Sequence, residues 1–132
     1  MGLMLVCRED NDLVEVLRQN GIPFRRYAGA AEALAEAEAG DGVLILAEGY
    51  PDMLTPVDAA TYALAAAKGL RLYVEFPAAL PGTELGEVRR TVWERTVVAS
   101  EAFAPAVSPL QILMVHGCRF VITTAEQPLL VN

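Results

Sequence analysis

The sequence predicts a three-layer α/β domain with a mainly parallel central sheet and helices on both faces. Short apolar runs alternate with segments of helical pattern across residues 3–75, in the order strand, helix, strand, helix, strand, helix, strand. Parallel strands joined by right-handed crossovers are the simplest arrangement for that order. The 132 residues are 54% hydrophobic, enough for a real core. We therefore expect a single domain over 1–132.

The first half of the pattern is the clearest. Residues 3–7 form an uninterrupted apolar run, which is typical of a strand buried on both faces. Asn11 or Asp12 is expected to cap the helix that follows, and Gly21 to end it. Residues 23–27 then predict a more polar strand, and the Ala- and Glu-rich residues 30–39 predict the second helix.

The next three elements have equally local signals. Residues 43–47 (VLILA) are the clearest strand of the chain, and residues 48–55 form a loop. Thr55 followed by Pro56 fits an N-cap with proline at the first helical position, so the third helix is expected to run from there to Lys68. Residues 70–75 (LRLYVE) predict the fourth strand.

Beyond Glu75 the pattern is weaker. Charges at helical intervals predict a helical turn from residue 84, followed by a strand within the β-rich residues 91–99. Residues 112–115, 120–123 and 129–131 each predict a strand, and we expect the last third of the chain to add strands to one edge of the sheet. The apolar C-terminal end predicts either continuation into a longer chain, with 1–132 as its N-terminal domain, or a strand that closes the sheet.

Composition excludes several classes of function. A net charge of −7 argues against binding nucleic acid or anionic lipid through a basic patch. No apolar stretch is long enough for a membrane helix or a signal peptide, so we expect a soluble cytoplasmic protein. Two cysteines and one histidine exclude a disulfide scaffold and most structural zinc sites. The first turn, CREDND, has no glycine for a dinucleotide phosphate, and we expect no cofactor and no metal centre.

Acidic and aromatic residues follow the predicted strands. In open α/β sheets ligands bind beyond the carboxyl ends of the strands, so these side chains are expected to meet at one edge. They form either a pocket for polyol hydroxyls, a cation or a basic partner, or a set of solvated loop acids. The candidate binding residues are Glu9, Asp10, Glu48, Tyr50 and Asp52, with Glu75 as the best individual candidate.

The first half of the chain resembles response-regulator receiver domains. Glu9 and Asp10 stand where the acidic pair of a receiver would be, and PDM at 51–53 is similar to the receiver loop. A receiver accepts phosphate on an aspartate at the end of its third strand. That position here is Ala47, which disfavours phosphoryl transfer.

A stronger resemblance covers residues 1–80. The text DGVLILAEGYP at 41–51 and LTPVDAATYALAAAKGLRLYVEFPAAL at 54–80 resembles the class I glutamine amidotransferase-like superfamily, including ThuA-like domains and those attached to some glycoside hydrolases. The resemblance implies an amidotransferase-like or flavodoxin-like topology. Active members carry a cysteine nucleophile in a G-x-C-x-G elbow, and Glu75 occupies that place without flanking glycines. A carboxylate cannot form the thioester that glutamine hydrolysis requires, so the resemblance implies the fold without the activity.

Three functional hypotheses follow. The first is a non-catalytic amidotransferase-like accessory or interaction domain within a carbohydrate-processing protein. The second is a hydrolase that uses Glu75 as acid or base, or Cys118 as a nucleophile with His116 as its base. The third is a receiver-like domain that binds a cation or a small polar ligand at the acidic residues that follow the predicted strands. For partners, we expect a second copy or a downstream domain to bind through residues 105–132.

Overall fold

The structure is a computed structural model that describes residues 1–131. It is a mixed α/β protein whose contacts group into two compact units, the first spanning Met1–Pro81 and the second beginning at Gly82. The first unit contains a four-stranded parallel sheet in the order β2-β1-β3-β4 and three α-helices. Its elements are β1 (Leu3–Val6), α1 (Asp12–Gln19), β2 (Arg25–Tyr27), α2 (Ala30–Glu36), β3 (Gly42–Ile45), α3 (Ala59–Ala67) and β4 (Arg71–Val74). These seven elements confirm the predicted alternation of strand and helix.

Helix α1 shows how local sequence sets the ends of an element. The Asn11 side chain accepts a hydrogen bond from the backbone N–H of Val14 at 3.1 Å, so Asn11 is the N-cap. At the other end Gly21 adopts φ +64°, a left-handed conformation that only glycine takes without strain. The N–H of Ile22 then donates to the carbonyl of Leu17 at 2.9 Å, which closes the last turn.

Helix α1 packs in a different apolar cluster from helices α2 and α3. Met4 and Val6 of β1 pack in one apolar cluster with Leu34 of α2 and Ala65 of α3. Leu5, one position along the strand, packs in another cluster with Val14 and Leu17 of α1. Alternate side chains of a strand point to opposite faces, so a short apolar run with no polar break serves both clusters.

The start of α3 differs from the prediction. Thr55 is not its N-cap, because its backbone N–H donates to the carbonyl of Phe76 at 2.8 Å and its carbonyl accepts from Ala78 at 2.9 Å. The helix begins three residues later, where the side chain of Asp58 accepts the N–H of Thr61 at 2.7 Å. A helix starting at Pro56 would place Asp58 in its first turn, whereas Asp58 is the cap.

The second unit consists of antiparallel strands. One sheet pairs β5 (Leu85–Arg90) with β8 (Arg119–Thr123), and the other has the order β7-β6-β9, from Ile112–Val115, Glu94–Val98 and Leu130–Val131. A short 3-10 helix spans Glu101–Phe103. The predicted helical turn from residue 84 is wrong, since those residues form β5. The expectation that the last third extends the parallel sheet is also wrong, because its strands form two antiparallel sheets of their own.

After a register shift between Leu85 and Val88, a single register runs through both antiparallel sheets. Val88 lies opposite Val121 in the first sheet, and Val97 lies opposite Ile112 in the second. From the first of these pairs to the second, the residue number rises by nine in one segment and falls by nine in the other. The pairing of the two segments therefore continues without a shift from one sheet to the other. In that gap the N–H of Thr91 donates to the carbonyl of Cys118 at 2.8 Å. The two sheets are therefore one bent antiparallel ribbon, with β9 added along β6.

Candidate functional site

A cavity of about 680 Å³ lies at the carboxyl ends of β1, β3 and β4. It brings together Glu9, Asp10, Glu48, Tyr50 and Glu75, five of the residues that the sequence places at this edge. The sixth, Asp52, is exposed in the neighbouring turn and is not among the lining residues. Parallel strands bring their carboxyl ends to the same edge, which is why residues far apart in sequence meet here.

Glu75 connects the ends of two strands. It directly follows β4, and its backbone N–H donates to the carbonyl of Ile45 at 2.9 Å. One carboxylate oxygen accepts the N–H of Ala47 at 2.9 Å. The side chain thus continues the pairing of β3 and β4 by one further hydrogen bond. Its charge also contributes, after burial, to the raised pKa of Tyr73.

The residue after Glu75 has an unusual backbone. Phe76 adopts φ +49°, a region that L-residues with side chains disfavour, although its ring is 91% buried. The ring packs edge-on against Tyr50, with the ring centroids 5.2 Å apart. No helix follows this turn, since the described chain continues through a loop to β5. The chain therefore forms no strand-to-helix elbow at this point, and the turn buries a phenyl ring.

Asp10 serves as an ion-pair centre. Its carboxylate accepts hydrogen bonds from Arg18 at the end of α1, at 2.6 Å, and from Arg26 of β2. These two hydrogen bonds hold the pKa of Asp10 below its usual value. The acidic residues at this edge of the sheet therefore carry less uncompensated negative charge than the sequence indicates, because the Asp10 carboxylate is shared between two guanidinium groups.

Glu48 and Glu9 occupy the rim in different ways. One oxygen of Glu48 accepts the backbone N–H of Arg8 at 2.5 Å, and the other lies 3.7 Å from the guanidinium of the same residue. Glu48 thereby joins the loop after β3 to the loop after β1. Glu9 is exposed beside it and, with Glu75, presents negative charge toward the cavity.

Cys7 also lines the cavity. It is 97% buried, and burial raises the pKa of its thiol. A thiol in that environment is protonated at neutral pH and is a poor nucleophile. Cys7 therefore contributes packing between β1 and α1 rather than reactivity.

His116 and Cys118 lie in the second unit, where each contacts a different partner. The Nδ1 of His116 hydrogen-bonds to the carbonyl of Val92, and its ring stacks on Trp93 with centroids 3.9 Å apart. The sulfur of Cys118 lies 3.2 Å from the hydroxyl of Thr91. Both side chains are thus held by the residues that face them across the bent ribbon.

A second cavity, of about 700 Å³, lies at the same edge of the sheet on the side of α2 and α3. Met53, Leu54 and Val57 line it together with Thr55, whose buried hydroxyl has no hydrogen-bond partner among the described residues. Sequence reasoning missed this cavity because it assigned Thr55 to the cap of α3.

Residues 1–131 contain neither a metal-binding cluster of side chains nor a membrane-spanning helix. No three histidine, cysteine, aspartate or glutamate side chains are grouped so that they could hold a metal ion. In the same residues, no helix has the length and apolar character needed to span a membrane. The cation hypothesis consequently depends on fewer than three histidine, cysteine, aspartate or glutamate side chains among these residues.

The turn after β4 and the cavity beside it have to be interpreted from their own geometry. Comparison of the chain with protein-family models, curated proteins and solved structures gives no match in any of the three.

Proposed function

We propose that this chain is a non-catalytic accessory or interaction domain of amidotransferase-like type. The resemblance of residues 1–80 suggests the type, and it is also the sole source of the proposed setting in a carbohydrate-processing protein. The observation that carries the proposal is the turn at Glu75 and Phe76. A carboxylate held by a backbone N–H and a buried ring occupy the place where such a fold would present its nucleophile.

The turn supports this proposal in three ways. Glu75 already uses one oxygen to bind Ala47, which fixes its orientation toward β3. Phe76 is buried and packs against Tyr50, so a phenyl ring and not a reactive group follows Glu75 in the turn. The only described side chain with thiol chemistry in this unit, Cys7, is protonated and buried. A reactive nucleophile and a base are therefore not combined at this edge.

The test is a hydrolysis assay on the whole chain. Ammonia release from glutamine and hydrolysis of p-nitrophenyl esters and glycosides are measured for the parent and for Glu75→Gln and Cys118→Ser. Glu32→Gln is the matched control, since Glu32 is an exposed acid on α2 away from the cavity lining. Glutamine at position 75 keeps an oxygen that can accept the N–H of Ala47, so this variant should fold.

We expect all four proteins to react at the rate of buffer alone. A rate that Glu75→Gln or Cys118→Ser abolishes and Glu32→Gln retains would overturn the proposal in favour of the hydrolase alternative.

A second candidate function is the binding of a small polar ligand, and the 680 Å³ cavity favours it. Ligand pockets of proteins typically measure about 300–1,000 Å³. Since Asp10 is paired with arginines, Glu9 and Glu75 supply the acidic acceptors, and an amine that also carries hydroxyl groups fits them. Glucosamine is a suitable probe.

Thermal melting with glucosamine tests this candidate. At ten times its Kd, a ligand stabilises the folded state by about 1.4 kcal/mol, which moves Tm by several degrees. The shift should disappear in Glu9→Gln and persist in Glu32→Gln. An unchanged Tm of the parent protein, or a shift that Glu9→Gln retains, contradicts binding at this cavity.

A further inference from the structure

The second unit exposes a large amount of apolar surface. Twelve large apolar side chains in it are more than one-third exposed. At roughly 50 Å² of exposed apolar surface each, half of a typical apolar side chain, they present about 600 Å². A standard interface takes about 800 Å² from each partner, of which about 57% is apolar. The twelve side chains lie on both faces of the strands, so only part of this surface is available to one contact. The side chains are Val88, Val92, Trp93, Val97, Phe103, Leu110, Ile112, Leu113, Met114, Leu129, Leu130 and Val131.

The register collects part of this surface on one face. Val97 lies opposite Ile112 on one side and opposite Val131 on the other, and residues directly opposite each other share a face of the sheet. Met114 lies two positions from Ile112 and therefore projects from the same face. Ile112 is 63% exposed and Met114 is 71% exposed. The apolar face of this sheet thus reaches its edge strand, β7.

The edge of β7 carries none of the features that usually prevent association. Isolated edges are commonly protected by charged residues, proline or a very short strand. β7 is the four-residue sequence Ile-Leu-Met-Val, and it lies at the end of the sheet order β7-β6-β9. The other described edge strands either contain charged residues or, as in β9, span only two residues. Those with charges are β2, β4, β5 and β8.

We propose that β7 is a self-association edge, where the β7 strands of two copies pair antiparallel about a two-fold axis. The three strands of each copy then form one continuous sheet, and its apolar face continues across the junction. A two-fold contact uses the same patch on both copies, so an antiparallel edge suits it. The inference does not depend on the absence of catalysis.

The charge distribution favours a second copy over a charged partner at this edge. The chain carries a net charge of −7, so two copies repel each other over most of their surfaces. Residues 102–118 contain no aspartate, glutamate, lysine or arginine, and β7 lies within them. An acidic or basic partner would find no charge to pair with on β7, whereas an identical strand meets no like charge.

The nearest charge on the same face is compatible with this arrangement. Arg95 lies opposite Met114, one strand away from the junction. At about 4.8 Å between strands, Arg95 of one copy and Arg95 of the other are roughly 14 Å apart. That separation exceeds the Debye length of about 8 Å at physiological ionic strength, so their repulsion is largely screened.

The test measures solution mass against concentration by light scattering behind a sizing column. Met114→Lys places a charge in the centre of the exposed edge, and because Met114 is 71% exposed the variant should fold. Met53→Lys is the matched control, since Met53 is 65% exposed in the first unit. The parent and Met53→Lys should approach twice the 14.2 kDa chain mass, while Met114→Lys should raise the dimer Kd at least tenfold.

Amide hydrogen exchange locates the contact. Exchange within residues 112–115 should slow as the concentration of the parent protein rises, and exchange within residues 85–90 should not. Three results would overturn the proposal: a monomer at every concentration up to about 100 µM, a dimer that Met114→Lys leaves intact, or slower exchange confined to other segments.

Discussion

Replacing Phe76 by alanine and by glycine separates the packing of its ring from the strain of its left-handed backbone, which the turn after β4 combines. Both substitutions remove the ring, which is 91% buried and packs on Tyr50. They differ in backbone preference, because position 76 has φ +49°. Glycine adopts that conformation freely, whereas alanine is strained there as phenylalanine is.

The magnitudes follow from burial and backbone strain. Loss of a buried phenylalanine ring costs about 3–5 kcal/mol, and the lower end applies here because a loop can partly collapse around the gap. A left-handed conformation costs an L-residue about 1–2 kcal/mol. The greater flexibility of unfolded glycine offsets about 0.5–1 kcal/mol of that difference. Phe76→Ala should therefore lose about 3 kcal/mol, and Phe76→Gly about 0.5–1 kcal/mol less.

Urea unfolding at neutral pH measures this difference, with similar m-values required for the comparison. The control is Ala63→Gly in the exposed middle of α3, where glycine should destabilise by about 1 kcal/mol. Glycine should thus be more favourable than alanine at position 76 and less favourable at position 63. If Phe76→Ala is more stable than Phe76→Gly, the left-handed turn after β4 is not present in solution.

Three further predictions concern the first unit. Leu34→Ala should lower the free energy of unfolding by about 3 kcal/mol in urea, because Leu34 is 1% exposed. Leu64→Ala, at a 44% exposed position, should lower it by less than about 1 kcal/mol. Equal losses would contradict the packing of α2. Asp10→Asn should lower Tm at neutral pH. The pKa of Asp10 is lowered in the folded state, so its carboxylate stabilises the fold above the unfolded-state pKa, and this stabilisation is lost as pH falls through the folded-state pKa. The difference in Tm between the parent and Asp10→Asn should therefore vanish in acid. A difference that stays constant with pH would refute the ion pairs. In a Cys118→Ser background, iodoacetamide should label Cys7 slowly at neutral pH and rapidly in urea, since burial raises the pKa of this thiol; equal rates would show an accessible thiolate.

Local sequence predicted the first unit well because its elements carry strong, short-range signals. The apolar run of β1 and the Asn11 cap of α1 are read directly from neighbouring residues. The start of α3 could not be read in this way. Thr55-Pro56 is a favourable cap by sequence, but the backbone of Thr55 is used by Phe76 and Ala78, which lie more than twenty residues away.

In the second unit the helical spacing of charges gave a wrong prediction for a different reason. Glu84, Glu87 and Arg90 are spaced three residues apart, as on a helix face, yet residues 85–90 form β5. A strand pattern alternates only when one face is buried, and most side chains of β5 are exposed. Without that alternation the charges were the remaining signal, and they indicated the wrong element.

The candidate site was predicted in part. The rule that ligands bind at carboxyl ends selected Glu9, Glu48 and Glu75, which line the same cavity. The pairing of Asp10 with Arg18 and Arg26 was not predictable in the same way. It depends on β2 lying beside β1, and strand order is not encoded in the local pattern.

The most direct test of the central claim, that the turn after β4 carries no reactive nucleophile, is the intact mass of the chain after incubation with an electrophilic glutamine analogue. The account predicts an unmodified mass, because Glu75 is held by Ala47 and Cys7 is buried and protonated. The measurement uses the Cys118→Ser variant, because Cys118 lies in the second unit and not in this turn. A single adduct that maps to Glu75 or Cys7, lost on adding Glu75→Gln or Cys7→Ser, would contradict the account.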